Sequence, residues 1–450
     1  MKIAIIGAGW AGMAAAMAVV QAGQQANVFE AARTVGGRAR TIVSKDALGA
    51  PLLLDNGQHI LIGAYSECLR LMRLAGVDPD TALLRLPLAL RFADNSGLQW
   101  PDLAPPWDAV LGIAGARSWS WRERLALLGI ALRWRVKRFT CAPQASVAHL
   151  CAGLPARLLQ EFIDPLCIAA LNTPAHQASG QVFLRVLQDS LFSGPGGSNL
   201  LLPRVDLGEV FAQAAAHWLR THGTIVHTAA RVQSLTSRAQ GGWVVDGRLF
   251  DAVILATCST EAARLVSQCA QNVPSALSAP LHDWAACAQA LRFEAITTVY
   301  VQGAAPSSGA LLPHPMLALR NSAAHPAQFV FDRGQLGGPA GLLAFVISTS
   351  QGDRATLQQQ VLEQARAELG LRHLHAVQTV VDKRATFACT PALKRPSAHL
   401  APGLWACGDY IAGPYPATLE GAVRSGTAAG VAALTPIHPV HPVRPVPPKH

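Results

Sequence analysis

The chain opens on a short apolar run, Lys2 to Gly7, followed by small residues from Trp10 to Ala22 and a second strand-like run, Gln25 to Glu30. A brief apolar run without polar alternation predicts a strand buried on both faces of a parallel sheet, and the small-residue stretch predicts the helix crossing between two such strands. Together they form a βαβ opening. Residues 83 to 102 alternate and break at Asn95-Ser96-Gly97, which predicts a hairpin. From Arg117 to about Leu201 the pattern is mainly helical, interrupted by Pro and Gly. Gly223 to Leu235 and Trp243 to Thr257 follow as strands, with a turn at Asp246-Gly247. Arg354 to Leu369 has the spacing of a helix with a polar face. Near the end the opening shape returns: a strand stops at Gly408-Asp409, a Gly/Pro loop follows, and a helix of small residues begins near Thr418. The last stretch, PIHPVHPVRPVPPKH, places Pro at almost every third position, so residues 435–450 are expected to be an extended, solvated tail.

Composition narrows the class. Half of the 450 residues are apolar and 14% are charged, and the mean hydropathy is +0.25. That is greasy, yet no apolar run reaches the 18 or so residues of a spanning helix. The N-terminus enters a strand directly, so no leader is expected. Nine cysteines stand singly without a C-x-x-C pair, which fits reduced thiols in a cytosol and no metal site. A net charge of +10 points to an anionic partner. No nucleic-acid module is visible, and an anionic bilayer suits a greasy, basic chain better.

Gly7-Ala8-Gly9-Trp10-Ala11-Gly12 is a G-x-G-x-x-G directly after a strand and at the opening of a helix. Its glycines permit a tight turn, close approach of a pyrophosphate and close helix–strand packing, and the helix N-terminus offers N–H donors to phosphates. Glu30 ends the second strand, where an acid takes ribose hydroxyls. Ala31 and Arg33 lead on to Gly36-Gly37-Arg38, a second glycine turn that a nicotinamide site does not need.

This second turn resembles the flavoprotein superfamily of amine oxidases and phytoene desaturases. The resemblance implies FAD, with Arg33, Gly36, Gly37 and Arg38 near pyrophosphate and ribityl, and Val232 meeting adenine through its backbone. It also implies that Gly408, Asp409, Thr418, Leu419 and Glu420 close over the flavin end, Asp409 accepting from the ribityl chain. The expected fold class is α/β, a discontinuous Rossmann-like FAD-binding domain (1–80, 204–258 and 380–434) with an inserted mixed α+β substrate domain and helical region (81–203 and 259–379).

Asn56, Gly57, Gln58 and His59 occupy the segment that runs past the flavin ring in that superfamily. His59 is either an acid–base group or a histidine satisfied by the backbone. Cys389 and Cys407 offer a covalent flavin link or, more simply, core packing.

The segments DNGQHILIGAYSECLRLM, PLCIAALNTP, VLQDSLFSG, SNLLLPRVDLGEVF and RATFACTPAL resemble the bacterial hydroxysqualene dehydroxylases, from residue 1 to about Leu434. The resemblance implies reductive loss of a hydroxyl from a C30 isoprenoid, with reduced FAD as hydride donor. His59 or Asp164 is then the candidate acid. Asp164 serves alternatively as a helix cap, and Asn172 either orients the hydroxyl or ends that helix.

Arg117 to Phe139 carries seven basic residues, one acid and three tryptophans. It is either a helix lying in a headgroup layer or a core helix with solvated arginines on its other face. A cytoplasmic protein, peripheral on the inner face of the membrane and near prenyl-synthase-like partners, is the expectation. Two alternatives stand beside it: a polyene desaturase or oxidase of the same fold, and a flavin-stabilised scaffold without catalysis.

Overall fold

Lys2–Ile6 lies inside a six-stranded sheet, between Gln25–Phe29 on one side and Ala252–Leu255 on the other. The sheet continues outward to Ile225–His227 beyond Gln25–Phe29, and to Leu404–Ala406 and His399–Ala401 beyond Ala252–Leu255. All neighbours are parallel except the last pair. The computed structural model describes residues 1–45, 49–191, 194–238, 240–304 and 309–435; all but the first residue of the Pro-rich tail lies outside them.

The helix Trp10–Gln21 covers the sheet, with every residue from Trp10 to Val19 buried. Against it lies Leu419–Ala432. The two helices are built of small residues because they nearly touch: a Cβ added at Gly426 would fall 2.1 Å from the Ala11 carbonyl oxygen.

A second, five-stranded antiparallel sheet runs in the order Met316–Ala318, Phe329–Asp332, Leu342–Ser348, Phe293–Gln302, His375–Phe387. The helix Arg354–Leu369 packs on it through Leu357, Val361 and Ala365. His375–Phe387 runs across the boundary expected between 379 and 380, so that boundary falls inside a strand.

Three local expectations are revised. Ala89–Arg91 and Gly97–Gln99 form the hairpin, but Leu83–Leu86 pairs with Leu200–Pro203, so the mainly helical stretch closes on a strand. Only Ile225–His227 of the segment from 223 to 234 is strand. The N–H groups of Ala229 and Ala230 donate instead to the carbonyls of Ala32 and Glu30, which pulls this segment across the end of the second strand. No helix of the described residues is long and apolar enough to cross a membrane.

Candidate functional site

Gly9 precedes the helix Trp10–Gln21 and has no side chain to cap it. The first-turn N–H groups are thus left to an external acceptor, and the helix dipole favours an anionic one. Gly12 presses on the turn so closely that a Cβ would fall 1.9 Å from the Gly7 carbonyl oxygen. Trp10 packs its ring on Phe211, with 5.0 Å between centroids, and Ala11 faces Gly426; both meet a cofactor only through their backbone. The Glu30 carboxylate accepts from the N–H of Ala8 at 2.7 Å and of Ala32 at 2.8 Å, and its oxygens keep further lone pairs for ribose hydroxyls. Ala31 and Arg33 beside it are exposed. The Gly36 N–H donates to the Ala8 carbonyl at 2.8 Å. Gly37, at φ +62°, would bring a Cβ to 3.2 Å from Gly9 Cα, so the two glycine turns form one bare cradle. Val232 is buried, its carbonyl accepting from Arg264 at 3.0 Å. Its N–H has no partner among the described residues.

Arg38 forks between the Ala385 carbonyl at 2.6 Å and Asp409 at 2.5 Å. Arg38, expected near the pyrophosphate and ribityl, and Asp409, expected to accept from the ribityl chain, are therefore joined to each other by a charge-assisted hydrogen bond. Gly408 donates its N–H to Ser425 Oγ at 3.1 Å. Thr418 caps the helix Leu419–Ala432, accepting from the Gly421 N–H at 3.0 Å, and Leu419 is half-buried. Glu420 takes a different position from the one expected. Its buried carboxylate accepts from the N–H groups of Glu67 and Cys68 at 3.0 Å each and from Arg424 at 2.6 Å. It caps the helix Ser66–Leu74, since an acid at a helix N-terminus satisfies orphan donors.

Asn56 fastens the next segment to the arginine turn. Its side-chain amide donates to the Arg38 carbonyl at 3.1 Å and its N–H to the Arg40 carbonyl at 2.9 Å. Gly57, Gln58 and His59 follow. The His59 Nδ1 lies 3.1 Å from the Gly57 carbonyl, which fixes the proton on Nδ1 and leaves Nε2 as acceptor. Burial lowers the His59 pKa, with the nearby Arg38 cation adding to that effect against the pull of the Gly57 carbonyl; the ring is neutral at ordinary pH.

A charge pair that leaves no signal in the sequence lies beneath this segment. Arg333, 8% exposed, lies 3.6 Å from the Asp55 carboxylate, 2% exposed, and donates to Gln58 at 3.4 Å. Tyr300 donates to the Asp55 carbonyl at 2.9 Å. Burial drives the Asp55 pKa up to about 6 against the Arg333 cation and the Leu207 N–H. Nothing in the sequence spacing joins residues 55 and 333.

Gln58 Nε2 and Thr298 Oγ1 are buried without a hydrogen-bond partner among the described residues. A Cβ on Gly57 would lie 3.7 Å from the His59 ring and 3.9 Å from Thr298 Oγ1, so these groups surround one spot. Buried orphan donors beside a bare glycine, continuous with a phosphate cradle, fit a dinucleotide whose ring carries carbonyl and ring-nitrogen acceptors. Cys389 and Cys407 are buried, and burial pushes both thiols up to about 12, which suits packing.

Asp164 and Asn172 belong elsewhere. Asn172 ends the helix Asp164–Leu171 in the left-handed region at φ +43°. Its amide donates to Thr386 Oγ1 at 2.9 Å and accepts from the Thr349 N–H at 3.0 Å. It therefore clamps the helix end to the antiparallel sheet, with both amide atoms engaged. Asp164 starts the same helix and lines a cavity of about 690 Å³ with Phe92, Glu161, Ile163, His176 and Leu319. His59 is not among the lining residues. Burial raises the Asp164 pKa, and His176 opposes this only in part.

A family model for flavin containing amine oxidoreductases matches residues 10–434. The chain belongs to that family. It is an FAD-dependent oxidoreductase, and the cradle, acid and orphan donors above fit its cofactor. It is 25% identical to a hydroxysqualene dehydroxylase of Sinorhizobium fredii, over 96% of this chain and 98% of the relative. A hydroxysqualene dehydroxylase of Rhodopseudomonas palustris is 26% identical over 94% and 96%. A zeta-carotene desaturase of Synechocystis is 34% identical, but over 83 residues, 18% of this chain and 16% of the relative. The fold matches a solved oxidoreductase of Methanosarcina mazei with a TM-score of 0.69 at 17% identity, covering 96% of this chain and all of that one.

Proposed function

We propose that this FAD-dependent oxidoreductase reductively removes the hydroxyl of hydroxysqualene to give squalene, as in hopanoid-type pathways. One contrast carries the reading: similarity to dehydroxylases spans the whole chain, whereas similarity to a desaturase spans 18% of it.

The reaction balances as alcohol plus proton plus hydride giving hydrocarbon plus water. Gly7–Gly12 and Gly36–Arg38 would hold the pyrophosphate of bound FAD, Glu30 its ribose and Gly57–His59 its ring; reduced FAD there would supply hydride chemistry. Departure of the allylic hydroxyl needs a proton, and the allylic cation left behind needs a dry apolar wall. Of the two candidate acids, burial shifts Asp164 toward its protonated form and His59 toward its neutral form, and Asp164 lines a cavity that His59 does not line. His59, neutral with Nε2 free, suits the role of acceptor for the departing hydroxyl. The protein works in the cytoplasm at the inner membrane face, where its greasy substrate collects and prenyl-synthase-like partners deliver it.

The test is anaerobic incubation of photoreduced enzyme with hydroxysqualene. The expected products are squalene and oxidised flavin in equal amounts. A more unsaturated product from oxidised enzyme would instead assign a desaturase, and flavin that never responds to substrate would assign a scaffold.

A further inference from the structure

The helix Trp121–Val136 is apolar on two opposite sides. Leu127, Ile130 and Trp134 are buried, Trp134 meeting the Phe183 ring edge-on at 6.4 Å. On the other side Trp121, Leu125, Leu132 and Val136 are 69%, 64%, 63% and 75% exposed. At about 3.6 residues per turn these four fall on one stripe, roughly opposite the buried three. The core is already served by the first side, so the second stripe has no intramolecular task.

The preceding helix, Trp107–Ala114, extends the patch. It packs beside Trp121–Val136, and Arg124 ties the two by donating to the carbonyls of Ala114 at 2.6 Å and Ala116 at 2.8 Å. Trp107 and Leu111 on it are 63% and 50% exposed, and Leu103 just ahead is 45% exposed. Thus seven of the thirteen exposed large hydrophobic side chains among the described residues fall between 103 and 136. So concentrated a patch marks an interaction surface rather than ordinary scatter.

Charge selects the occupant. Arg117, Arg122, Arg133, Arg135, Lys137 and Arg138 are all exposed around the stripe. Of the two acids of the helices, Asp108 is buried and Glu123 is engaged in a capping box with Ser120. Two copies of this face brought together about a two-fold axis would oppose like charges. An anionic headgroup layer over hydrocarbon meets both features at once, the stripe entering the acyl boundary and the cations resting on phosphates.

We infer that helices Trp107–Ala114 and Trp121–Val136 form a platform that inserts into an anionic lipid bilayer. The inference deepens the reading of a membrane-stored isoprenoid substrate, but its test measures binding and not turnover. The FAD-loaded full chain is floated with vesicles of phosphatidylcholine containing phosphatidylglycerol, and with phosphatidylcholine alone. Wild type is expected to float with the anionic vesicles and to partition about tenfold less to neutral ones. Leu125→Ser with Leu132→Ser should abolish flotation while flavin absorbance and melting temperature stay unchanged. Arg133→Gln with Arg135→Gln should weaken anionic binding alone. Flotation that survives the leucine pair overturns the platform. So does wild type that ignores both vesicles and forms a dimer lost in the leucine variant, which would assign the face to a second copy. Binding without squalene formation would sink the substrate reading and leave the platform standing.

Discussion

Arg38 and Asp409, 371 residues apart in sequence, meet at 2.5 Å. One comes from the glycine turn after the second strand and the other from the turn before the last helix. The pair therefore joins the opening motif to the closing one.

Removing either partner unties that joint. Arg38→Gln and Asp409→Asn are each expected to weaken FAD retention by about tenfold or more, since hydrogen bonds to charged groups contribute about 1.5–3 kcal/mol. The double variant should lose little more than one single variant, because the partners share one interaction. Flavin titration of the apoprotein measures this; fully additive losses would show that the two act independently.

Two glycines should respond in opposite directions to a methyl group. Gly426→Ala places a Cβ 2.1 Å from a backbone oxygen of the neighbouring helix, and the required separation is expected to cost about 1–3 kcal/mol. Gly129, inside Trp121–Val136, has nothing within 4 Å of an added Cβ, so Gly129→Ala should stabilise by about 0.5–1 kcal/mol. Thermal melts of the two variants decide; equal effects would contradict the packing described.

His59→Ala should leave flavin bound and slow turnover by about a hundredfold. Burial holds the His59 pKa below its ordinary value, so the neutral ring becomes the majority as pH rises through that lowered pKa, and activity should rise with it. Asp164 lines a cavity that His59 does not line, so the rise with pH should vanish in His59→Ala and persist in Asp164→Asn. A rise that survives His59→Ala would remove that ring from the mechanism.

Asp55 makes stability fall as pH rises. Its folded pKa of about 6 exceeds the unfolded value of about 3.9. Between these values the folded state holds a proton that the unfolded state has released, so the contribution is full below pH ~4 and gone above pH ~6, amounting to about 3 kcal/mol at most. Asp55→Asn keeps an acceptor for the Leu207 N–H but cannot titrate. Relative to wild type, its denaturant midpoint should lose this decline between those pH values; parallel curves would refute the assignment.

The parts legible in the sequence were those whose cause is local. Strand, glycine turn and helix at residues 2–21 follow from neighbours, as does the cap at Thr418. The antiparallel sheet was hidden because LLAFVIS at Leu342–Ser348 is buried throughout and lacks the period-2 alternation that betrays a half-exposed strand. Asp55 and Arg333 were hidden for a different reason: an ion pair between distant residues leaves no periodicity at all. Glu420 sits in a motif expected to serve the cofactor, yet its carboxylate turns to a neighbouring helix, a choice that depends on where Glu67 and Cys68 arrive in space. The segment Arg117–Phe139 allowed two descriptions; the fold gives its helix a core-packed side and leaves a second apolar side exposed.

The contact between Ala11 and Gly426 also sets a schedule for biosynthesis. The first helix emerges from the ribosome early, but the helix that covers it is encoded some 400 residues later, an interval of roughly 20–80 s at ordinary elongation rates. Throughout that time a greasy nascent surface has no lid, so newborn chains should depend on holdase chaperones, and ribosome stalling before residue 419 should send them to aggregates rather than to a smaller folded product.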